Sequence, residues 1–331
     1  MNRLEARVSD LVRRTGFSGV VRVDRAGHIE LEQAFGFANR RHGLPNTVTT
    51  QFATASATKG LTALAVVSLI ERGSLQLTTT ARSVLGADLP LIRDDVTVEH
   101  LLAHRSGIGD YLDEDAYEAT DYVMPVPVQE LARTEQFLVV LDGHETVFAP
   151  GDRFAYNNGG YVVLALIAER VSGVGFHDLV GQRVCQPAGM RDTAFLRSNE
   201  LPENAAIGYL AKDGPRSNVF HLPVRGSGDG GIYSTAADVT ALWTAFLAGR
   251  IVSREWVVEM LRPRSEVPSQ SRRYGLGFWL HESRDIVMLV GHDAGVSFWS
   301  MHEPASSATR TVIANWTDGA WPIADLLETA D

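Results

Sequence analysis

Ser56 and Lys59 stand three residues apart in the stretch Ala55-Ser56-Ala57-Thr58-Lys59. On a helix that spacing puts both side chains on one face, a turn apart. A serine hydroxyl is a weak nucleophile until a neighbouring base removes its proton, and a desolvated lysine amine is able to do so. Few lysine amines are neutral at pH 7, so the role requires an environment that disfavours the ammonium, such as burial or the positive end of a helix. The competing reading is a serine helix cap followed by a solvated first-turn lysine. The chain holds 28 arginines and only two lysines, Lys59 and Lys212. A retained lysine then marks a place where the basic group must be able to lose its proton, as a guanidinium cannot.

Two further groupings carry chemistry. Tyr156-Asn157-Asn158 lies just ahead of an apolar stretch. A phenol near an ionisable lysine relays protons, and an asparagine amide orients the base or holds a substrate carbonyl. The same residues, followed by Gly159 and Gly160, also make a good turn by composition. Val290-Gly291-His292-Asp293-Ala294-Gly295-Val296-Ser297 lies between two strand-like runs. A strand edge there presents a backbone N–H to an oxyanion and a polar side chain, His292, to the substrate. A hairpin turn carrying a solvated histidine is the alternative.

Other constellations are poorer. Residues 110–121 are acidic and irregular and read as a loop over a cleft. Asp113, Glu114, Asp115, Glu118 and Asp121 within it suit a solvated surface or, more sharply, a field that attracts substrates with a free amine. His100 and His104 are four apart on a helix, but no His-Glu-x-x-His occurs and no third ligand is evident, so no metal is expected. Gly-x-Ser-x-Gly, a phosphate loop and a dinucleotide fingerprint are all missing from the sequence.

These residues need elements to position them. Apolar residues at helical spacing predict helices over 4–14, 59–72, 98–104, 160–171, 238–247 and 323–328. Gly73 and Gly173 act as stops, Ser106-Gly107 ends the third helix, and Ser234 or Thr235 caps the fifth. Alternation predicts strands over 19–24 and 28–35, joined by Arg25-Ala26-Gly27, and over 274–280, 286–291, 296–302 and 310–316. Strands at both ends around a helical middle imply an α/β (α+β) fold, in which helices flank an antiparallel sheet built from both chain ends. On this reading 1–55 and 225–331 form the sheet domain, 56–224 form an inserted, mainly helical domain, and the active site lies in the cleft between them.

Composition narrows the function classes. With 45% hydrophobic and 21% charged residues in 331, the chain is globular and large enough for a substantial core. A formal net charge of −10 argues against a nucleic-acid partner held through phosphates. Cys185, the single cysteine, excludes an intramolecular disulfide and a zinc site of several thiolates. The first ten residues are charged rather than apolar, and the longest apolar run, 161–168, is too short for a bilayer. The expectation is a cytoplasmic protein with no membrane partner.

Taken in order, the three groupings resemble the motifs of the serine β-lactamase and penicillin-binding-protein superfamily. The likeness is greatest to its class C-like branch of family VIII carboxylesterases, D-aminopeptidases, DD-peptidases and class C β-lactamases. Leu101-Leu102-Ala103-His104-Arg105-Ser106-Gly107 is similar to that branch's LLxHxSG stretch, and Gln186-Pro187-Ala188-Gly189-Met190-Arg191-Asp192-Thr193 to its PLGMxDT. Gly230-Gly231-Ile232-Tyr233-Ser234-Thr235-Ala236-Ala237-Asp238 resembles GGxxSTAxD, and Tyr274-Gly275-Leu276-Gly277 resembles YGLG.

The resemblance implies a β-lactamase/transpeptidase-like fold. It implies Ser56 as the acylated nucleophile, Lys59 as its general base, and Tyr156 as the group that exchanges protons with Lys59 and the leaving group. Asn158 would bind the substrate amide or carbonyl, and the oxyanion hole would use the N–H of Ser56 and one from the strand near Ser297. The third motif departs from the family pattern. In place of Lys-Thr-Gly or His-x-Gly and a glycine-rich run, this chain has His292-Asp293-Ala294 and a run one residue shorter. That weakens the case for a β-lactamase, whose substrate carboxylate is held largely from that strand.

The sequence thus predicts a serine hydrolase without a cofactor, acting on a small-molecule ester, peptide or β-lactam. An esterase or D-amino-acid peptidase is favoured over a β-lactamase. An acyltransferase using the same acyl-enzyme and a catalytically inactive binding homologue are the rival readings.

Overall fold

The computed structural model describes residues 3–114 and 118–329. Helix α1 (Arg3–Thr15) leads into a hairpin of β1 (Gly19–Arg25) and β2 (His28–Phe35). Two small ladders follow: β3 (Phe37–Asn39) pairs with β4 (Leu44–Pro45), and β5 (Phe52–Ala53) pairs with the distant β6 (Tyr233–Ser234). Between β5 and β6 the regular elements are helices: α2 (Thr58–Glu71), α3 (Ala81–Leu85), α4 (Val98–Leu102), α5 (Leu138–Leu141), α6 (Asn158–Ser172), α7 (Phe176–Val180) and α8 (Gln186–Ala188). After β6 come α9 (Ala236–Leu247) and α10 (Arg254–Leu261). The chain then runs through β7 (Ser265–Val267), β8 (Arg272–Tyr274), β9 (Trp279–His281), β10 (Val287–Asp293), β11 (Val296–Glu303) and β12 (Ala308–Ala314), and closes with α11 (Trp321–Glu328).

Eight strands make one antiparallel sheet in the order β2-β1-β12-β11-β10-β9-β8-β7. The two chain ends meet where β1 pairs with β12, from Gly19 opposite Ala314 to Arg25 opposite Ala308. Alternation along these strands divides the core. Val21, Val23, Trp299, Met301 and Val312 pack with Val8 of α1 and Ile323 and Leu327 of α11. Val20, Leu289, Phe298 and Ile313 belong to the larger cluster that includes α2, α6 and α9. Helix α2 is buried from Thr58 through Leu69 and α6 from Asn158 through Ala168. Helices apolar on all sides are core helices, and these two form a rigid floor for whatever stands at their N-termini.

Two expectations are corrected. The strand predicted over 274–280 is broken into β8 and β9 by a turn in which Gly275 N–H bonds Phe278 C=O and Gly277 takes a φ of +88°. Leu276 and Phe278 are fully buried in that turn and imitate the alternation of a strand. The helix predicted over 98–104 ends at Leu102, because His104 adopts a left-handed φ of +54° and Arg105 N–H returns to the carbonyl of His100.

Candidate active site

Ser56 sits in a single 3₁₀ turn, Ala55–Ala57, that runs directly into α2. Ala55 takes a φ of +47°, an uncommon conformation for a residue with a Cβ, so the chain turns sharply just before the serine. Thr54 N–H bonds the Ile232 carbonyl at 2.9 Å, and Thr58 Oγ1 accepts from Ile232 N–H at 3.2 Å. The turn is thereby tied to the segment entering β6. Ser56 N–H lies in the first turn, where helical N–H groups lack an acceptor within the helix.

Lys59 is one turn further on and only 2% exposed. Its Nζ lies 2.9 Å from Ser56 Oγ, and it donates to Asn158 Oδ1 and to the Asp229 carbonyl, each at 2.7 Å. Two N–H groups therefore have fixed acceptors, and the third direction of the nitrogen points at the serine hydroxyl. A neutral amine accepts the serine proton along that line, and an ammonium finds three oxygens around it. The same cage suits both states.

Asn158 is held as firmly. Its Nδ2 donates to Leu112 O at 2.9 Å and to Glu114 Oε1 at 2.8 Å, which fixes Oδ1 toward Lys59. It is the first residue of α6, whose N-terminus is capped twice. Asn157 Oδ1 accepts from Gly160 N–H at 2.6 Å, and the Asp110 carboxylate accepts from Asn158 and Gly159 N–H at 2.6 and 2.8 Å. Burial pushes the Asp110 carboxyl up to about 7 against the downward pull of those N–H bonds.

Tyr156 and Ser56 line the same open cavity, and the Ser56 side chain is near enough to act on the phenol. Its ring stacks on Trp279 at 6.0 Å and lies 4.3 Å from the ring of His104, with Lys59 Nζ 4.9 Å from its centroid. Burial, reinforced by the charge of Glu114, raises its pKa well above that of an ordinary phenol, so it stays protonated. His104 is itself buried, its Nδ1 accepts from Asn157 N–H at 3.1 Å, and burial keeps the ring neutral. His100 accepts from Thr97 N–H and completes the cap of α4. Among the described residues, no group of three or more His, Cys, Asp or Glu is placed to hold a metal ion.

Strand β10 closes the other wall. It pairs with β9 only at Val287 and Met288, so the edge beyond them is left to the cleft. At Gly291 that edge touches the serine turn: a Cβ there would fall 2.1 Å from Thr54 O and 3.1 Å from Ala57 N. His292 stands at the mouth, half exposed, with Nε2 3.2 Å from Asp318 and its ring edge on Trp321. Asp293 turns inward and lines the pocket that holds Ser56. Ser297 is placed elsewhere, which corrects its expected part in binding substrate. Its hydroxyl donates to Trp316 O at 3.0 Å and accepts from Ala320 N–H at 2.9 Å, wholly buried on β11, one strand removed from the cleft edge.

Ser56, Tyr156, Asn158 and His292 line one open cavity of about 390 Å³, whose far wall includes Trp279 and Arg272. On its other side Ser56 faces a smaller pocket with apolar walls from Leu196, Leu222, Val224 and Tyr233. From the acidic loop, Asp113 and Glu114 line the open cavity, Glu118 lines a neighbouring hollow, and Asp115 lies outside the described residues. Sequence reasoning missed Asp110 and Asp229. A loop aspartate just after Gly107-Ile108-Gly109 was a usable signal for the first, but Asp229 meets Lys59 through a backbone carbonyl, which leaves no trace in residue type.

A family model described as "Beta-lactamase" matches residues 4–327. The putative penicillin-binding protein PbpX of Bacillus subtilis (strain 168) is 28% identical over 279 residues, covering 83% of this chain and 65% of that protein. The chain thus spans just under two thirds of that relative's length. Esterase EstB of Burkholderia gladioli is 30% identical over 308 residues, 83% of this chain and 78% of that one. The crystal structure of a penicillin binding protein from Bacillus halodurans superposes with a TM-score of 0.91 at 34% identity, covering 97% of this chain and 99% of the other.

Proposed function

The chain belongs to the β-lactamase family, and from that premise we propose that it hydrolyses an ester or amide bond of a small substrate through an acyl-enzyme on Ser56. The observation that carries this reading is the cage around Lys59 Nζ, with Ser56 Oγ at 2.9 Å and both other directions occupied by acceptors. Lys59 takes the serine proton as Oγ attacks the carbonyl carbon. The protonated phenol of Tyr156 assists transfer of a proton to the departing oxygen or nitrogen. Ser56 N–H and the free edge of β10 receive the developing oxyanion. Water then attacks the acyl-enzyme, its proton passing to Lys59, and Ser56 is restored without a cofactor.

Charge and shape bear on the substrate. The pocket behind Ser56 combines apolar walls with the carboxyls of Asp229 and Asp293 and suits a small acyl group. Asp113 and Glu114 beside the nucleophile repel the carboxylate of a β-lactam. An esterase or short-peptide amidase is therefore favoured over a β-lactamase.

Intact-protein mass spectrometry after incubation with a fluorophosphonate and, separately, with a penicillin tests the proposal. The expected result is a single fluorophosphonate adduct that maps to Ser56, with penicillin reacting slowly at the same residue. An unmodified Ser56 in a folded protein that reacts with neither reagent would refute it.

A further inference from the structure

Asp293 is out of place in an acyl-transfer cleft unless something binds it. Its carboxylate makes no hydrogen bond or ion pair among the described residues, although it lines both the pocket behind Ser56 and the hollow under the acidic loop. One carboxyl oxygen lies 3.6 Å from where a Cβ on Gly230 would stand, and the carbonyl carbon of Ala55 is equally near that point. The carboxyl and the residue that precedes the nucleophile therefore both border Gly230.

Its neighbours share its sign. Glu114 and Asp229 both press on it electrostatically, and only Lys59 opposes them. Lys59 already has oxygens on every side. No lysine or arginine lines either of the two pockets that Asp293 enters. A partly buried carboxyl with no partner is costly to ionise, and a ligand that brings the missing cation relieves that cost. A metal ion does not fit, since no set of three ligating side chains is assembled among the described residues.

We propose that Asp293, supported by Glu114, is the specificity-determining residue of this site, holding the ammonium group of an amino-acyl substrate while Ser56 attacks its carbonyl. Because Ser56 and Asp293 line one pocket, the substrate this assigns carries its amine close to the scissile carbonyl. Amino-acid amides, amino-acid esters and peptides with a free N-terminus have that arrangement. The proposal rests on the acyl-transfer reading of the same site.

Alaninamide and propionamide test it, because they differ in the ammonium group. In calorimetric titrations of the Ser56→Ala protein, alaninamide should bind about tenfold or more tighter than propionamide. Asp293→Asn in that background should collapse the ratio toward one, and Asp293→Glu should restore part of it. A ratio near one in the parent, or one that Asp293→Asn leaves intact, overturns the proposal. Turnover of alanine p-nitroanilide and its N-acetyl derivative, in both enantiomers, is the second arm. In the Ser56 enzyme the free amine should be preferred, and Asp293→Asn should lower that preference. Asp293-dependent binding of alaninamide by a protein that acylates with no substrate would uphold the amine site and defeat the acyl-transfer reading.

Discussion

A side chain on Gly291 would place its Cβ 2.1 Å from the carbonyl oxygen of Thr54, so strand β10 meets the nucleophile turn backbone to backbone. No other residue type permits that approach, although the backbone of Gly291 itself needs no positive φ. The contact sets the spacing between Ser56 N–H and the cleft edge of β10, the two places from which an oxyanion would be held.

Gly291→Ala should therefore damage both stability and rate. Overpacking of this kind costs about 1 to 3 kcal/mol, and a small displacement of the oxyanion donors lowers kcat/KM by about a hundredfold. Gly181→Ala is the control, since a Cβ there meets nothing within 4 Å. Urea denaturation and p-nitrophenyl ester hydrolysis on the two variants would read the difference. A Gly291→Ala protein with wild-type kcat/KM would mean that the edge of β10 takes no part in catalysis.

Ser56 and Lys59 should fail as a unit. Ser56→Ala, Lys59→Arg and the double variant should each lose about a thousandfold or more in kcat/KM, with little further loss in the double. A guanidinium keeps the positive charge but cannot accept the serine proton. Stopped-flow measurement of the p-nitrophenol burst separates acylation from turnover. An arginine variant with a normal burst would leave the general-base role without support.

The Ser56–Lys59 relationship was legible because it is local: three residues on one helix turn meet whatever the rest of the chain does. The sheet assembled from both chain ends was legible from alternation in 19–35 and 286–316, whose buried faces are real. What remained hidden was long-range. Nothing in residue type says that Ser297 lies between two other strands with its hydroxyl taken up by Trp316 and Ala320. The polar role at the third motif was assigned to His292 by its chemistry. Alternation along β10 instead puts Gly291 and Asp293 on the inner side and leaves His292 at the rim.

Tyr156→Phe should distinguish substrates by leaving group. Burial keeps the phenol protonated, so its contribution is greatest where the departing atom needs a proton. An anilide or alkyl amide should lose about a hundredfold or more in kcat. A p-nitrophenyl ester, whose phenolate leaves unaided, should lose much less. Equal losses on the two substrates would indicate that the hydroxyl serves only to orient Ser56.

Asp293→Asn should make the free protein more stable at alkaline pH. Burial first, then the charge of Glu114, pushes the Asp293 carboxyl up from 3.8 to about 8. Between those values the folded state holds a proton that the unfolded chain has released, so this group's effect is a loss of stability as pH rises through the window. Above pH 8 the full penalty of an unpaired, partly buried carboxylate is present. The amide does not ionise, and it should be more stable there by roughly 1 to 3 kcal/mol. The gap should close below about pH 4, where the carboxyl is protonated in both states. Asp110, also raised, is present in both proteins and drops out of the difference. Denaturant midpoints at pH 3.5 and pH 9 would measure the gap. A variant no more stable than the parent at pH 9 would mean that Asp293 is solvated, and a solvated carboxylate would have no need of a substrate's ammonium.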